Sequence, residues 1–255
     1  MLPVSGVTLQ VREATGADEI IVLEPTGGPV ATVLTLASSL ATGPAGEALA
    51  WDELPAADLG AIALTIRQAW LGDTIRTDAR CPDPGCGERM DIAFAISAYL
   101  VHHRPTRYRG IGAGRDAGWF ELAGAPVSFR LPTIGDVQAA AAVTDPELCL
   151  RERCVRPASV PAAVARRVSR AMAALAPSLT GAITAACPAC GGSRLLQFDP
   201  VTYTLTELRH AASGLYEEVH LLASAFGWAE RDILALPRSR RARYADMIHS
   251  ERVAA

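Results

Sequence analysis

Two short cysteine pairs constrain the fold of this chain more than any other feature. They lie about a hundred residues apart and read Cys81-Pro-Asp-Pro-Gly-Cys86 and Cys187-Pro-Ala-Cys190. Each pair is flanked on both sides by short stretches in which apolar and polar residues alternate, and each lies in a segment of turn-forming residues. That combination predicts two β-hairpins whose tips each carry two thiols.

Two such tips together supply the four soft ligands that a tetrahedral Zn²⁺ site needs. The first pair has four intervening residues, a wide spacing that still lies within the range of structural zinc sites. We therefore predict that Cys81, Cys86, Cys187 and Cys190 bind a structural Zn²⁺ in a zinc-ribbon-like arrangement. A zinc ion held by four thiolates has no open position for water, so this metal would fold the protein rather than catalyse a reaction.

Three other interpretations of the cysteine pairs remain open: a redox pair, two local disulfides, or thiols that only pack. A redox motif would favour a neighbouring βαβ unit and no second pair. Disulfides are disfavoured because Met1–Gly6 shows no basic segment followed by an apolar one, so we expect a reducing, cytoplasmic location. The other two of the six cysteines, Cys149 and Cys154, fall in a predicted helix and are expected to be buried apolar thiols.

Composition limits the possible partners. Although 50% of the 255 residues are hydrophobic, no apolar run approaches the roughly 20 residues of a membrane span. The formal net charge is -3, which gives no global reason to expect nucleic acid. A zinc-ribbon nucleic-acid-binding module remains the alternative function, because arginines cluster in Arg238–Arg243 and would contact phosphates.

Motifs that carry catalysis are absent from the sequence. It contains no Gly-x-Ser-x-Gly, no His-Glu-x-x-His and no dinucleotide-binding glycine motif after a predicted strand. It also contains no lysine, which excludes a Schiff-base lysine and the lysine of a P-loop. We predict a non-enzymatic protein with no small-molecule substrate.

The pattern of predicted elements indicates an α+β fold in three segments. Residues 1–72 hold an N-terminal strand and helices, and residues 73–199 hold both cysteine hairpins with a helical insertion at about 133–176. Residues 200–255 form a helical interaction region. Its first helix is predicted to be the longest in the chain and to end at Gly227, because apolar residues recur at alternating spacings of three and four up to Phe226.

Several segments resemble a known family. Glu217–Tyr244 contains an aromatic-Gly-Trp helix end, an Ile-Leu-x-Leu-Pro turn and an Arg-Arg-x-x-Tyr helix, and Val7–Glu19 is similar to the family's opening. Cys187–Gly191 and the following Phe198–Pro200 also match. The chain thus resembles the hub- or wedge-associated baseplate proteins of contractile phage tails and phage-tail-like injection particles. It departs from the pattern at Ala229, where members typically have Ser, and in its wide first cysteine pair.

This resemblance implies a subunit or assembly factor of a baseplate, assembled in the bacterial cytoplasm into a phage-tail-like particle. The expected partners are other baseplate, hub or spike subunits. Aromatic and arginine side chains at helix ends most often anchor protein interfaces. We therefore predict that Trp228, Arg240, Arg241 and Tyr244 contact a partner.

Overall fold

The computed structural model describes residues 1–254, with side chains described up to Ser250. The strands are β1 Gln10–Val11, β2 Ala41–Thr42, β3 Thr74–Arg80, β4 Arg89–Ala95, β5 Ile111–Ala113, β6 Trp119–Leu122, β7 Ser128–Arg130, β8 Val155–Arg156, β9 Gly181–Ala186 and β10 Ser193–Phe198. The helices are α1 Gly16–Leu23, α2 Pro29–Leu40, α3 Leu59–Leu71, α4 Ile96–His102, α5 Ile134–Ala141, α6 Pro146–Cys154, α7 Ala162–Leu175, α8 Pro200–Ala212, α9 Leu215–Phe226, α10 Glu230–Leu234 and α11 Arg238–Ala254. The predicted α+β class is confirmed, with small antiparallel sheets. Among the described helices, none has both the length and the apolar character needed to span a bilayer.

The chain divides into two compact units that alternate along the sequence. Unit 1 contains residues 1–8, 49–62 and 73–199, and unit 2 contains residues 9–48, 63–72 and the residues from Pro200 onward. The segment 73–199 therefore lies within one unit, and the C-terminal region lies within the other. Residues 1–72, predicted as a single segment, are shared between the two units.

Two antiparallel hairpins of unit 1 carry the cysteine pairs, as the flanking sequence predicts. β3 pairs with β4 over seven residues each, from Thr74 opposite Ala95 to Arg80 opposite Arg89. β9 pairs with β10 from Gly181 opposite Phe198 to Ala186 opposite Ser193. Side chains in both hairpins alternate between covered and exposed, because successive residues of a strand point to opposite faces.

Aromatic side chains join the two hairpins at the ends that lie away from the cysteines. The ring of Phe198 in β10 packs edge-on against Phe94 in β4 and Tyr99 in α4, with centroid distances of 5.4 and 5.3 Å. The hydroxyl of Tyr99 donates a hydrogen bond to the carbonyl oxygen of Leu179 at 2.5 Å. These contacts fix the bases of the hairpins independently of any metal.

The predicted helical insertion at about 133–176 contains α5, α6 and α7, and its short strand β8 joins a sheet formed with the residues that precede it. Strands β5 to β8 form a four-stranded antiparallel sheet, and α7 packs on it through a core that includes Phe129, Val168 and Ala171. Residues 99–118 contain the C-terminal part of α4 and the edge strand β5, which is only three residues long.

Asp136 links the helical part of the insertion to its sheet. Thr133 and Asp136 form a capping box at the start of α5. The Asp136 carboxylate, 2% exposed, also accepts hydrogen bonds from Arg130 at 3.0 Å and from Arg153 at 2.7 Å. Burial alone would raise the pKa of Asp136, but the hydrogen bonds from Arg130, the Thr133 N–H and Arg153 outweigh it and hold that pKa well below its ordinary range.

Asp136→Asn is expected to lower the free energy of unfolding by about 2–3 kcal/mol at pH 7, because charge-assisted hydrogen bonds are lost. The folded-state pKa is depressed, so this stability is present above the unfolded pKa near ~3.9 and is lost as the pH falls through the folded value. Urea unfolding at pH 7 and pH 3 should show the gap between wild type and variant closing in acid. Asp91→Asn, at a position 90% exposed, is the control and should change neither value.

In unit 2, the single long helix predicted to end at Gly227 is in fact two helices. The apolar repeat runs without interruption, but the structure breaks the helix at Ser213 and Gly214, giving α8 and α9. A Ser-Gly pair is a poor helix former, and the pattern continues across the break because both helices bury their apolar faces, including Leu208 and Leu222. The predicted end at Gly227 is confirmed, since this residue adopts a left-handed conformation with φ of 68° and its N–H bonds to the Ala223 carbonyl.

A buried ion cluster forms the polar centre of unit 2. Arg241, 0% exposed, donates to Glu218 at 3.0 Å, to the Leu236 carbonyl at 2.9 Å and to the carboxylate of buried Glu19. Close packing surrounds it, since a Cβ added at Gly16 would lie 3.0 Å from an Arg241 guanidinium nitrogen. The cluster therefore connects α1, α9 and α11.

Arg241→Gln is expected to destabilise the protein by about 3–5 kcal/mol, because it leaves the buried Glu19 carboxylate without a counter-charge. Thermal and urea unfolding measure the change. Arg240→Gln, one residue earlier and exposed, is the matched control and should stay within about 0.5 kcal/mol of wild type. Equal effects of the two substitutions would show that the buried cluster contributes nothing particular to stability.

Candidate metal centre

The four predicted cysteines converge between the two hairpin tips of unit 1. All four sulfur atoms lie within 4.8 Å of one another. The nearest pairs join the two hairpins: Cys81 Sγ is 4.0 Å from Cys190 Sγ, and Cys86 Sγ is 3.7 Å from Cys187 Sγ. The prediction that these four residues come together is confirmed, and the arrangement is compatible with a metal site.

The sulfur separations fit four-coordinate metal binding. A tetrahedron of thiolates with metal–sulfur bonds of ~2.3 Å has edges of roughly 3.8 Å, close to the observed spacings. A disulfide requires sulfur atoms ~2.05 Å apart. All six cysteines are free thiols, and the close pairs lie across the hairpins rather than within one tip. The two local disulfides considered from the sequence therefore do not occur in this arrangement.

Asp83 shapes the wide first tip. Its carbonyl oxygen accepts hydrogen bonds from the N–H groups of Cys86 at 3.0 Å and Gly87 at 3.2 Å, and its carboxylate accepts from Gly85 N–H at 2.9 Å. The hairpin closes with Cys81 N–H bonded to the Glu88 carbonyl at 2.7 Å. The four residues between Cys81 and Cys86 therefore form a tight turn around Asp83, and the sulfurs of both cysteines still reach the centre.

A shared glycine position relates the second tip to the first. Gly87 and Gly191 each directly follow the second cysteine of their pair and adopt left-handed conformations, with φ of 63° and 67°. In the second tip, Gly191 N–H bonds to the Cys187 carbonyl at 2.9 Å, and Cys187 N–H bonds to the Gly192 carbonyl at 3.0 Å. The Cys-Gly dipeptide in both pairs is the sequence signal for these two turns.

Arg194 is the site residue that sequence reasoning missed. It lies in β10, and its guanidinium donates from Nε to Cys81 Sγ at 3.3 Å and from Nη2 to Cys190 Sγ at 3.4 Å. The same Nη2 forms an ion pair with Asp83 at 2.6 Å. Nothing in the spacing of the cysteines identifies Arg194, because its role depends on how the two hairpins face each other.

These contacts make the thiols unequal. The hydrogen bond from Arg194 is the main cause that lowers the pKa of Cys81. The backbone N–H of Gly192, with help from neighbouring thiols and Arg194, lowers the pKa of Cys190 to about 7. At Cys86 the backbone N–H of Glu88 favours the thiolate, but burial and the surrounding thiols outweigh it and raise the pKa to about 12.

Apolar side chains enclose one side of the site. Met90, 1% exposed, packs with Cys81 and Cys187, and Ala79 and Leu196 lie against the same cluster. Cys81 and Cys187 are buried, whereas Cys190 is exposed. Four sulfur atoms gathered at one centre are compatible with a metal site.

The other candidate residues lie elsewhere. Trp228 and Tyr244 are half-buried in unit 2, and Arg240 is exposed, so their predicted contact with a partner stays a prediction. Arg241 was also predicted to contact a partner, but it is fully buried and forms ion pairs with Glu19 and Glu218. It is therefore not available at the surface.

The two remaining cysteines take no part in the four-sulfur centre. Cys154 is buried with its sulfur 3.7 Å from the Asp136 carboxylate, and Cys149 is half-buried.

Comparisons with known proteins do not add to this picture. No protein-family model matches the chain, and neither curated proteins nor solved structures give a significant match. Functional inference therefore depends on the geometry of the chain itself and on the sequence resemblance described above.

Cys187→Ser is expected to remove stoichiometric metal binding, because serine replaces a buried thiolate with a hard, weakly acidic oxygen. Elemental analysis of the purified protein should find about one metal ion per wild-type chain and a small fraction of that in the variant. Cys149→Ser is the matched control and should retain the metal. Full metal content in Cys187→Ser would contradict the assignment of this sulfur as a ligand.

Proposed function

We propose that this chain is a non-enzymatic component or assembly factor of the baseplate of a contractile, phage-tail-like injection particle, folded around a structural Zn²⁺. One observation carries the proposal: two of the segments that resemble the baseplate family, the opening segment and the C-terminal segment, contact each other in unit 2. Gly16 N–H bonds to the Leu236 carbonyl at 3.3 Å, Thr15 forms a β-bridge with Pro237, and Glu19 pairs with Arg241.

This packing supports the resemblance, because motif residues that are distant in the sequence contact one another in the fold. The Leu-Pro turn accepts the backbone of the opening segment, and the arginine pair places one guanidinium against the opening glutamate. Gly16 is required at the contact, since a Cβ there would lie 3.0 Å from the Cα of Leu234. Short sequence matches that also contact one another in the fold arise by chance less often than matches that are scattered over the structure.

Zinc is the metal that suits the centre best. Four thiolates in a tetrahedron favour Zn²⁺ or an iron–sulfur centre, whereas magnesium, calcium and manganese prefer oxygen ligands. The two hairpin tips facing each other across four sulfurs support a zinc-ribbon-like arrangement. The metal would tie the hairpin that precedes the sheet-and-helix insertion to the hairpin that follows it.

An aromatic cluster supports a role in protein contacts. Phe226, 44% exposed, stacks on Trp228 with centroids 5.0 Å apart, and Tyr244 packs edge-on against Trp228 at 5.1 Å. Trp228 and Tyr244 also pack against the buried core of α9, α10 and α11. A rigidly held, partly exposed group of large aromatic side chains is the type of surface that anchors an interface.

The direct test is to delete the chain in cells that make the particle and to measure the particles by electron microscopy and mass spectrometry. A permanent subunit should be present in purified sheathed particles. An assembly factor should be absent from them but present in incomplete baseplates. Deletion that leaves complete baseplates in normal number contradicts both forms of the proposal.

Trp228→Ala is expected to weaken co-purification of baseplate subunits by roughly 30-fold or more, the loss typical of an aromatic interface anchor. The measurement is quantitative mass spectrometry of material bound to the tagged chain. Tyr216→Ala changes an aromatic residue of unit 2 that is 46% exposed and outside the cluster, and it should co-purify like wild type. Wild-type levels with Trp228→Ala would limit this residue to a structural role.

The rival nucleic-acid module makes a different prediction. Phosphate contacts by the α11 arginines would give DNA or RNA binding that falls steeply with salt. The burial of Arg241 between two carboxylates removes one of these charges from the surface. Steep salt-dependent binding would support the rival, and no binding at low salt would exclude it.

A further inference from the structure

We propose that Arg194 retains the metal: its guanidinium bridges sulfurs of both hairpin tips, donates hydrogen bonds to atoms that carry the negative charge of the centre and lies against the exposed ligand Cys190. This inference depends on the proposed metal occupancy but not on a role in a baseplate. Arg194 is a positioning residue, because it acts through Cys81 and Cys190 rather than by binding the ion.

The negative charge of a four-thiolate metal centre is one reason to assign this role to Arg194. A divalent cation with four thiolates carries a net charge of -2, which must be stabilised by nearby donors. Arg194 aims two guanidinium nitrogens at two different sulfurs, at 3.3 and 3.4 Å. Hydrogen bonds between ionised partners are stronger than neutral ones, and a planar guanidinium can serve two acceptors at once. Arg194 therefore places two charged N–H donors at sulfur atoms that carry the excess charge, and its own charge is shared with Asp83.

Arg194 also connects the two hairpin tips. Arg194 belongs to the second hairpin, while Cys81 and Asp83 belong to the first. The 2.6 Å ion pair with Asp83 fixes the guanidinium from the side opposite its own strand. Because Asp83 also organises the turn of the first tip, the ion pair couples that turn to β10.

Arg194 also limits the access of solutes to the most exposed sulfur of the centre. Cys190 is the exposed ligand and is thus the sulfur that a competing chelator or a proton reaches first. The guanidinium lies against this sulfur and over the backbone of Gly192. A Cβ added at Gly192 would come within 2.7 Å of Arg194 Nη2 and 2.8 Å of its Cζ. The position of the guanidinium therefore requires glycine at residue 192, which supplies a way to displace Arg194 without removing its charge.

The test measures Zn²⁺ transfer from loaded protein to a chromophoric chelator, together with the sulfur-to-metal charge-transfer band of the Co²⁺ form. Arg194→Gln should lose Zn²⁺ about 10–100-fold faster than wild type, the usual effect of removing a group that orients metal ligands. Its Co²⁺ band should shift, because the sulfurs no longer accept charged hydrogen bonds. Arg194→Lys should restore only part of the retention, since a single ammonium cannot span both sulfurs.

Gly192→Ala and Arg89→Gln complete the design. Gly192→Ala should accelerate release to a value between wild type and Arg194→Gln, because the methyl group displaces the guanidinium. Arg89, 67% exposed at the first tip, contacts carboxylates and no sulfur among the contacts described, so Arg89→Gln removes the same charge and should behave as wild type. If Arg194→Gln does not fold, Gly192→Ala and Arg194→Lys decide the question.

The possible outcomes are distinguishable. Release from Arg194→Gln and Gly192→Ala within twofold of wild type, with an unchanged Co²⁺ band, overturns the role of Arg194. Equal acceleration by Arg89→Gln also overturns it, because general charge at the tip would then be sufficient. A wild-type chain that binds neither Zn²⁺ nor Co²⁺ overturns the metal assignment, including the structural Zn²⁺ of the proposed function, and leaves the baseplate role to be decided by the deletion experiment.

Discussion

The convergence of four thiols is the constraint on which the architecture of unit 1 depends. It joins residues that are 101 and 109 positions apart in the chain. A two-stranded hairpin alone is marginally stable in water, so each cysteine hairpin needs a partner. The aromatic contacts of Phe94, Tyr99 and Phe198 hold the hairpin bases. A structural metal, worth on the order of 10–16 kcal/mol in small zinc modules, would hold the tips.

A buried charge cluster organises unit 2. Arg241 is buried among carboxylates and a carbonyl group contributed by separate helices and a turn. A buried charge pair is a modest source of stability but strongly penalises any arrangement that separates its members. The cluster therefore favours one register for the C-terminal helices, and it supports the aromatic group at Phe226, Trp228 and Tyr244 as a surface of defined shape.

The part of the fold that could be predicted from sequence is the part encoded locally. Alternation around Pro- and Gly-containing turns predicts both cysteine hairpins, and Gly227 after the apolar repeat predicts the end of α9. The break at Gly214 was missed because an apolar repeat reports burial and not helix continuity. Arg194 and Arg241 were missed or misplaced for a related reason: an arginine looks solvated in sequence, and its burial depends on carboxylates or thiolates brought close by tertiary structure.

X-ray absorption at the metal edge of the purified, metal-loaded chain tests the central claim most directly. The account predicts a first coordination shell of four sulfur atoms at ~2.3 Å, with no oxygen or nitrogen ligand. A shell containing light atoms, or fewer than four sulfurs, would contradict a closed four-thiolate centre joining the two hairpins.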